Sequence, residues 1–167
     1  MIKKVMLAAV LLAPMCLSAQ KIGVVDSKAI FDVMPDKIEA ESRINTLLAQ
    51  YQEENAKLEK EFNQKYADFQ ALDPATPKSI RAMRMQEIQE NQRKISSYQQ
   101  MVNQDVETKK AELLNPIKAR IQAAIDSVGN AGGYMLVFDI SKTPVAFKSA
   151  DVIDITPEVK NCLGVVE

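Results

Sequence analysis

A chain of 167 residues with 21 lysines and arginines against 22 aspartates and glutamates carries a net charge of −1, and it contains no histidine. So even a balance gives no electrostatic footprint for nucleic acid, and the missing imidazole removes both the commonest general base at neutral pH and the commonest metal ligand. Hydrophobic residues make up 47% of the chain but aromatic ones only 5%, and its middle is dense in Gln, Glu, Lys and Asn, so one small folded body plus a long core-poor segment is expected.

Residues 1–19 read as a targeting segment. Lys3 and Lys4 form the basic start, Val5 to Leu17 the apolar run, and Leu17-Ser18-Ala19 a cleavage site after Ala19. The apolar run is about 13 residues where a membrane span needs roughly 20, so export with cleavage is expected rather than anchoring. Met15 stands where a lipoprotein signal would carry a small residue before Cys16. Cleavage would leave 19 basic against 22 acidic residues, a mature charge near −3. Cys162 would then be the only cysteine, which excludes an intrachain disulfide and leaves it as a small apolar residue on the last helix or, alternatively, the site of a bridge between chains. A single thiol without histidine cannot make a structural zinc site, and no acidic loop has calcium-binding spacing, so no metal or cofactor is expected.

Lys21 to Asp26 (KIGVVD) is short, β-branched and apolar, a strand. From Asp36 to Val128 the chain lacks glycine and reads as two long helices. Ile44, Leu48, Tyr51, Asn55, Leu58, Phe62, Lys65, Phe69 and Leu72 follow an alternating four-three step, the 3.5-residue repeat of a coiled-coil seam, with Asn55 and Lys65 as its weak points. Asp73-Pro74-Ala75-Thr76-Pro77 breaks it, since neither proline can donate a helix hydrogen bond. The returning helix offers Ile80, Met83, Ile88, Ile95, Tyr98, Val102 and Val106 as the complementary stripe. A fold-back centred near Ala75 makes facing residue numbers sum to roughly 150, which sets Phe62 against Ile88, Leu48 against Val102 and Pro35 against Pro116. Pro116 should kink the second helix where Pro35 interrupts the first, making the two prolines hinge candidates. The outgoing helix would span about 55 Å at 1.5 Å per residue, more than the diameter of a domain of this size, so the hairpin is expected to project.

Gly129-Asn130-Ala131-Gly132-Gly133 lies between a helix and a strand, the reverse of the order in phosphate-cradling loops, and serves as a helix stop after Val128. Tyr134–Asp139 (YMLVFD) is a second strand, with weaker candidates at Pro144–Phe147 and Val152–Ile155; Ser141 to Pro144 forms a turn and Thr156-Pro157 opens a final helix ending at Gly164. Asp26 and Asp139 close strands and read as caps or turn formers, not as a catalytic pair. No residue is assigned a catalytic role.

The expected fold is therefore α+β: a body from residues 20–35 and 116–167, and a coiled-coil hairpin from 36–115 with its tip at 73–77. Four short strands make too small a sheet to stand alone, and joining sheets from several chains would cover its edges. Ile22, Val24, Ile121, Met135 and Val137 are the candidate oligomerisation residues. On the arm, Tyr66, Leu72, Met83 and Met85 fall off the strict seam or near the tip and are candidates for apolar contact with a partner chain. Arg81 and Arg84, with Arg93 and Lys94, form a basic cluster near the tip that serves either the same contact or a solvated face paired with Glu87 and Glu90.

KIGVVDSKAIFDVMP after the signal segment, the polar helical hairpin, NPIKARIQAAIDSVGNAGGYMLVFDIS and DVIDITPEVKNCL together resemble the Skp/OmpH family of periplasmic chaperones over essentially the whole mature chain. Residues 21–35 and 117–139 are the most specific pieces. The resemblance implies a periplasmic homotrimer with a small intersubunit β-barrel body and three helical tentacles around a cavity, which holds unfolded outer-membrane β-barrel proteins without nucleotide. Family members are strongly basic where this chain is slightly acidic, so direct attraction to anionic lipid is not implied and the membrane is involved only through clients. A structural adaptor or spacer of the envelope would use the same hairpin and is the alternative.

Overall fold

The structure, a computed structural model, describes residues 21–165; the targeting segment, its cleavage after Ala19 and Cys16 lie outside them. The elements run β1 (Lys21–Val25), α1 (Ser27–Asp32), α2 (Pro35–Gln70), α3 (Lys78–Ala131), β2 (Tyr134–Asp139), β3 (Ile153–Asp154) and α4 (Thr156–Cys162). No helix among them is long and apolar enough to cross a membrane. The described residues divide into two units, one holding residues 21–30 and 122–165, the other Phe31–Ile121.

In the first unit a parallel three-stranded sheet has the order β2-β1-β3. The β1–β2 ladder pairs Ile22 with Leu136, Gly23 with Val137, Val24 with Phe138 and Val25 with Asp139, while Gly23 and Val24 pair with Ile153 and Asp154 of β3. Hydrogen bonds from Ile140 N to Val25 O and from Ile155 N to Val24 O, both 2.9 Å, extend the ladders past the strand ends. As the central strand, β1 carries the core: Val24 and Val25 are buried with Ile30, Ala124, Ile125, Ile155 and Val159. Pro144–Phe147 is not a strand, so the sheet has three strands among the described residues where four were expected. That segment pairs with none of the described strands, and Val145 and Phe147 are exposed.

Helix α3 ends at Ala131, three residues beyond the expected stop, with Gly129 accommodated within it, where an added Cβ would meet Val137 Cγ2 at an ordinary contact distance of 3.8 Å. The stop itself falls to Gly133, whose φ of 65° is the left-handed conformation that ends helices at low cost only for glycine. Gly132 is required for a second reason. A Cβ there would lie 2.3 Å from the Tyr134 ring, which is also covered by the Lys21 ammonium 4.3 Å from its centroid while Lys21 Nζ donates to Gly132 O at 3.0 Å.

The second unit is the helical hairpin. Helix α2 begins with Pro35 in its first turn, where the absent N–H costs nothing, and its 36 residues give about 54 Å at 1.5 Å per residue. All nine expected seam positions of α2 are buried or half-buried, with Ile44 and Leu58 the most enclosed. On α3 the buried seam residues are Ile88, Asn91, Ile95 and Val106, with Tyr98 and Val102 half-buried, whereas Ile80 and Met83 are exposed and do not belong to the stripe. The chain reverses across residues 71–77. Asp73 organises this turn: its carbonyl accepts from Thr76 N at 2.9 Å and from Arg81 Nη2 at 2.7 Å, and its carboxylate accepts from Ala75 N at 2.7 Å. Cross-helix hydrogen bonds join Lys65 to Asn91, Tyr51 to Asp105 and Asp36 to Arg120, whose numbers sum to 156, Gln99 to Asn55, which sum to 154, and Tyr98 Oη to the Tyr51 carbonyl, which sum to 149. The sums run from near the expected 150 to a few residues above it, Leu48 and Val102 line one groove, and Pro116 lines a hollow with Asp36, Ala40 and Arg43.

Candidate functional site

Two apolar displays stand out, one in each unit. In the sheet, Ile22, Val24, Leu136 and Phe138 share a face by the β1–β2 register, and only the central Val24 is buried. Ile22 is 38% exposed, Leu136 47% and Phe138 42%, with Met135 and Ile140 also open. The β-branched and aromatic side chains that make β2 a strand thus leave a continuous apolar surface beside an unpaired strand edge. Of the candidate oligomerisation residues, Ile22 and Met135 are on the surface, Val137 is half-buried toward Gly129, and Val24 and Ile121 are enclosed within their own units. Leu136 and Phe138 were missed. The alternation that would have found them is masked by the uninterrupted apolar run of β2, in which sequence alone does not say which face is covered.

The polar end of this sheet is built from Asp139 and Asp26. Asp139 accepts from Ser27 N at 3.2 Å, Ser27 Oγ at 2.5 Å, and Ser141 N and Oγ at 3.1 and 2.7 Å, and Lys142 Nζ lies 2.9 Å away. Asp26 accepts from Ala29 N at 2.8 Å, capping α1, while its own N–H donates to Thr156 Oγ1 at 3.0 Å. The two carboxylates thus hold turns and a helix start. Burial by itself would raise the Asp139 pKa, but the hydrogen bonds from Ser27, Ser141 and Lys142 outweigh it and hold the carboxyl well below the usual range. A depressed carboxyl pKa adds stability that is fully present above the unfolded value near 3.8 and is lost as pH falls toward the native value. Asp139→Asn should therefore lower the unfolding free energy by about 2 kcal/mol at pH 7, and the difference from the parent should shrink below pH 4. Urea denaturation at fixed protein concentration at pH 7 and pH 3 measures it; an equal gap at both would refute the assignment.

The hairpin displays apolar groups singly. Tyr66 is exposed and stacked on Phe62 with centroids 6.1 Å apart, and Ile80, Met83, Met85 and Met101 are exposed along α3. Leu72 is half-buried at the turn. Arg81 is folded back onto the Asp73 carbonyl and Arg84 pairs with Glu87 at 3.0 Å, so the two tip arginines brace the turn and the helix surface. Ile80 and Met101 were overlooked as surface residues. Counting back in heptads from Ile95 and Ile88 reaches position 81, which already puts Ile80 outside the stripe. Midway along the hairpin, Leu48, Tyr51, Asn55, Ala56, Tyr98 and Val102 line a groove of about 310 Å³, where the Tyr51 and Tyr98 rings meet edge to face at 6.3 Å. Hydrogen bonding from Tyr51 to Asp105 raises the Tyr51 pKa, keeping this phenol protonated as a seam donor.

The fold is similar to that of a crystal structure from Caulobacter crescentus CB15 described as an OmpH-like outer membrane chaperone: the TM-score is 0.69 at 15% identity, over 85% of this chain and 82% of that one. None of the curated proteins matches the chain. The family model for outer membrane protein (OmpH-like) matches residues 21–163, from the first residue of β1 to the residue after α4. Fold and family match together make this chain a member of the OmpH-like family.

Proposed function

We propose that this protein is an ATP-independent periplasmic holdase that keeps unfolded outer-membrane β-barrel proteins from aggregating and passes them on for membrane assembly. The observation that carries the reading is the spacing of Tyr66, Ile80, Met83, Met85 and Met101 as isolated exposed apolar groups among charged and amide side chains. Such a surface offers many weak, poorly directional contacts to the alternating apolar strands of an unfolded barrel, and weak contacts release the client once folding into a membrane is downhill. The described OmpH-like chaperone from Caulobacter supports it by fold. Assembly is the second half of the proposal: the open face of Ile22, Leu136 and Phe138 is covered by copies of itself, in a trimer whose sheets join, with residues 144–147 supplying a further strand there.

The test is light scattering of a urea-unfolded outer-membrane β-barrel protein diluted into buffer with and without the mature chain, whose mass is measured in the same run. Suppressed aggregation at about one trimer per client without nucleotide is the expected result. A clean oligomer that suppresses nothing would replace the holdase with an envelope adaptor.

A further inference from the structure

We infer, on the footing of the holdase reading, that Met83, Met85 and Met101 are oxidation sites through which an oxidant of the peroxide class switches off the apolar display of α3. The chain has eight methionines, no tryptophan and no histidine. Three of the eight, Met1, Met6 and Met15, fall in the targeting segment, and the other five divide sharply. Met34 is a core residue, 1% exposed, whereas Met83, Met85, Met101 and Met135 are between 39% and 67% exposed. With indole and imidazole missing, these thioethers and the exposed Cys162 thiol are the groups of the described surface most readily oxidised by two electrons.

The three hairpin methionines all lie on α3, and α2 carries none. Met83 and Met101 are separated by five full turns, so they fall on one side of the helix about 27 Å apart at 1.5 Å per residue. Met85, two positions on from Met83, lies roughly 200° round the helix and serves its other side. Without them Ile80 is the one large exposed apolar side chain left on α3. The oxidation balances with a peroxide alone. The thioether sulfur gives a lone pair to one peroxide oxygen, an S–O bond forms as the O–O bond breaks, and sulfur is oxidised by two electrons. The other oxygen takes the proton of the transferred hydroxyl and leaves as water. Each sulfoxide sets a strongly hydrated acceptor where an adaptable apolar group stood, so a client strand must desolvate it to make the same contact. Because these side chains are exposed, the hairpin has nothing to repack, and the buried Met34 is shielded from the oxidant.

The test takes the mature chain with Cys162→Ser, treats it with hydrogen peroxide, removes the peroxide with catalase and then adds a urea-unfolded outer-membrane β-barrel protein. Peptide mapping should find sulfoxide at Met83, Met85 and Met101 and none at Met34. The concentration for half-suppression of aggregation should rise at least about tenfold, with mass and helix content unchanged. Methionine sulfoxide reductases for the two sulfoxide epimers should restore the untreated value. Met83→Leu with Met85→Leu and Met101→Leu keeps volume, apolar character and helix propensity, so that variant should hold clients equally before and after peroxide. Met135 is oxidised in both proteins, and its effect cancels between them. Unchanged suppression by a parent carrying the three sulfoxides, or an equal loss in the leucine variant, overturns the inference while the holdase reading stands. An untreated parent that suppresses nothing overturns the holdase reading and this inference together.

Discussion

Phe138→Asp should convert the proposed trimer into a folded monomer. In the single chain the Phe138 side chain is 42% exposed and stands beside Val24 in the β1–β2 register, with Leu136 and Ile22 one pair away on the same face. A carboxylate there stays hydrated in a monomer, so the fold survives; covered by another copy it would be desolvated without a partner. A loss of about 4 kcal/mol, typical of a central interface hot spot, raises the dissociation constant about 1,000-fold. Mass by sedimentation or light scattering across a dilution series, with circular dichroism for helix content, reads the result. An oligomer of parental mass would show that this face is not the interface. Val137, which also looked suitable in the sequence, is the poorer probe: it packs toward Gly129 of α3, and a charge there would damage the fold before it reported on assembly.

That contrast shows where sequence reasoning reached and where it stopped. The hairpin was legible because its outgoing seam is dictated by chain-local periodicity, and all nine positions from Ile44 to Leu72 are at least half-buried. The glycine stop was legible for the same reason, though it falls at Gly133, the glycine of the run with a positive φ, and not directly after Val128. The returning stripe failed at Ile80 and Met83, because apolar character was followed where spacing should have decided, and Asn91 was hidden in the seam by being polar. The sheet was legible in β1 and β2 but not in its faces, since near-continuous apolar strands carry no alternation. Residues 144–147 have strand composition yet remain unpaired, a conflict between local propensity and the partners present in one chain. For the candidate client surface, Met83, Met85 and Tyr66 are exposed as their off-seam positions require, whereas Arg81 and Arg84 are engaged locally and contribute mainly to the turn.

Replacing Tyr66, Ile80, Met83 and Met85 together with serine should cripple client holding while leaving assembly intact. These side chains are between 39% and 50% exposed, so the native chain gains little from them and their removal leaves no buried cavity. The parts of Ile80, Met83 and Met85 that remain free are available to an unfolded partner, and covering such partly exposed side chains is worth about 0.5–1 kcal/mol each at 25 cal/mol per Å². Summed over four positions that is about 2–4 kcal/mol, or roughly 30- to 700-fold in affinity. Because the proposed client contact is spread over many points, the loss should appear as a higher chaperone concentration for half-suppression of aggregation, not as an all-or-none failure. Tyr66→Ser also removes the stack on Phe62, so a melting curve should accompany the scattering assay to separate a loosened hairpin from a lost surface. Undiminished suppression by a variant of parental mass and melting temperature would take these four residues out of the client surface and move attention to the groove between Tyr51 and Tyr98.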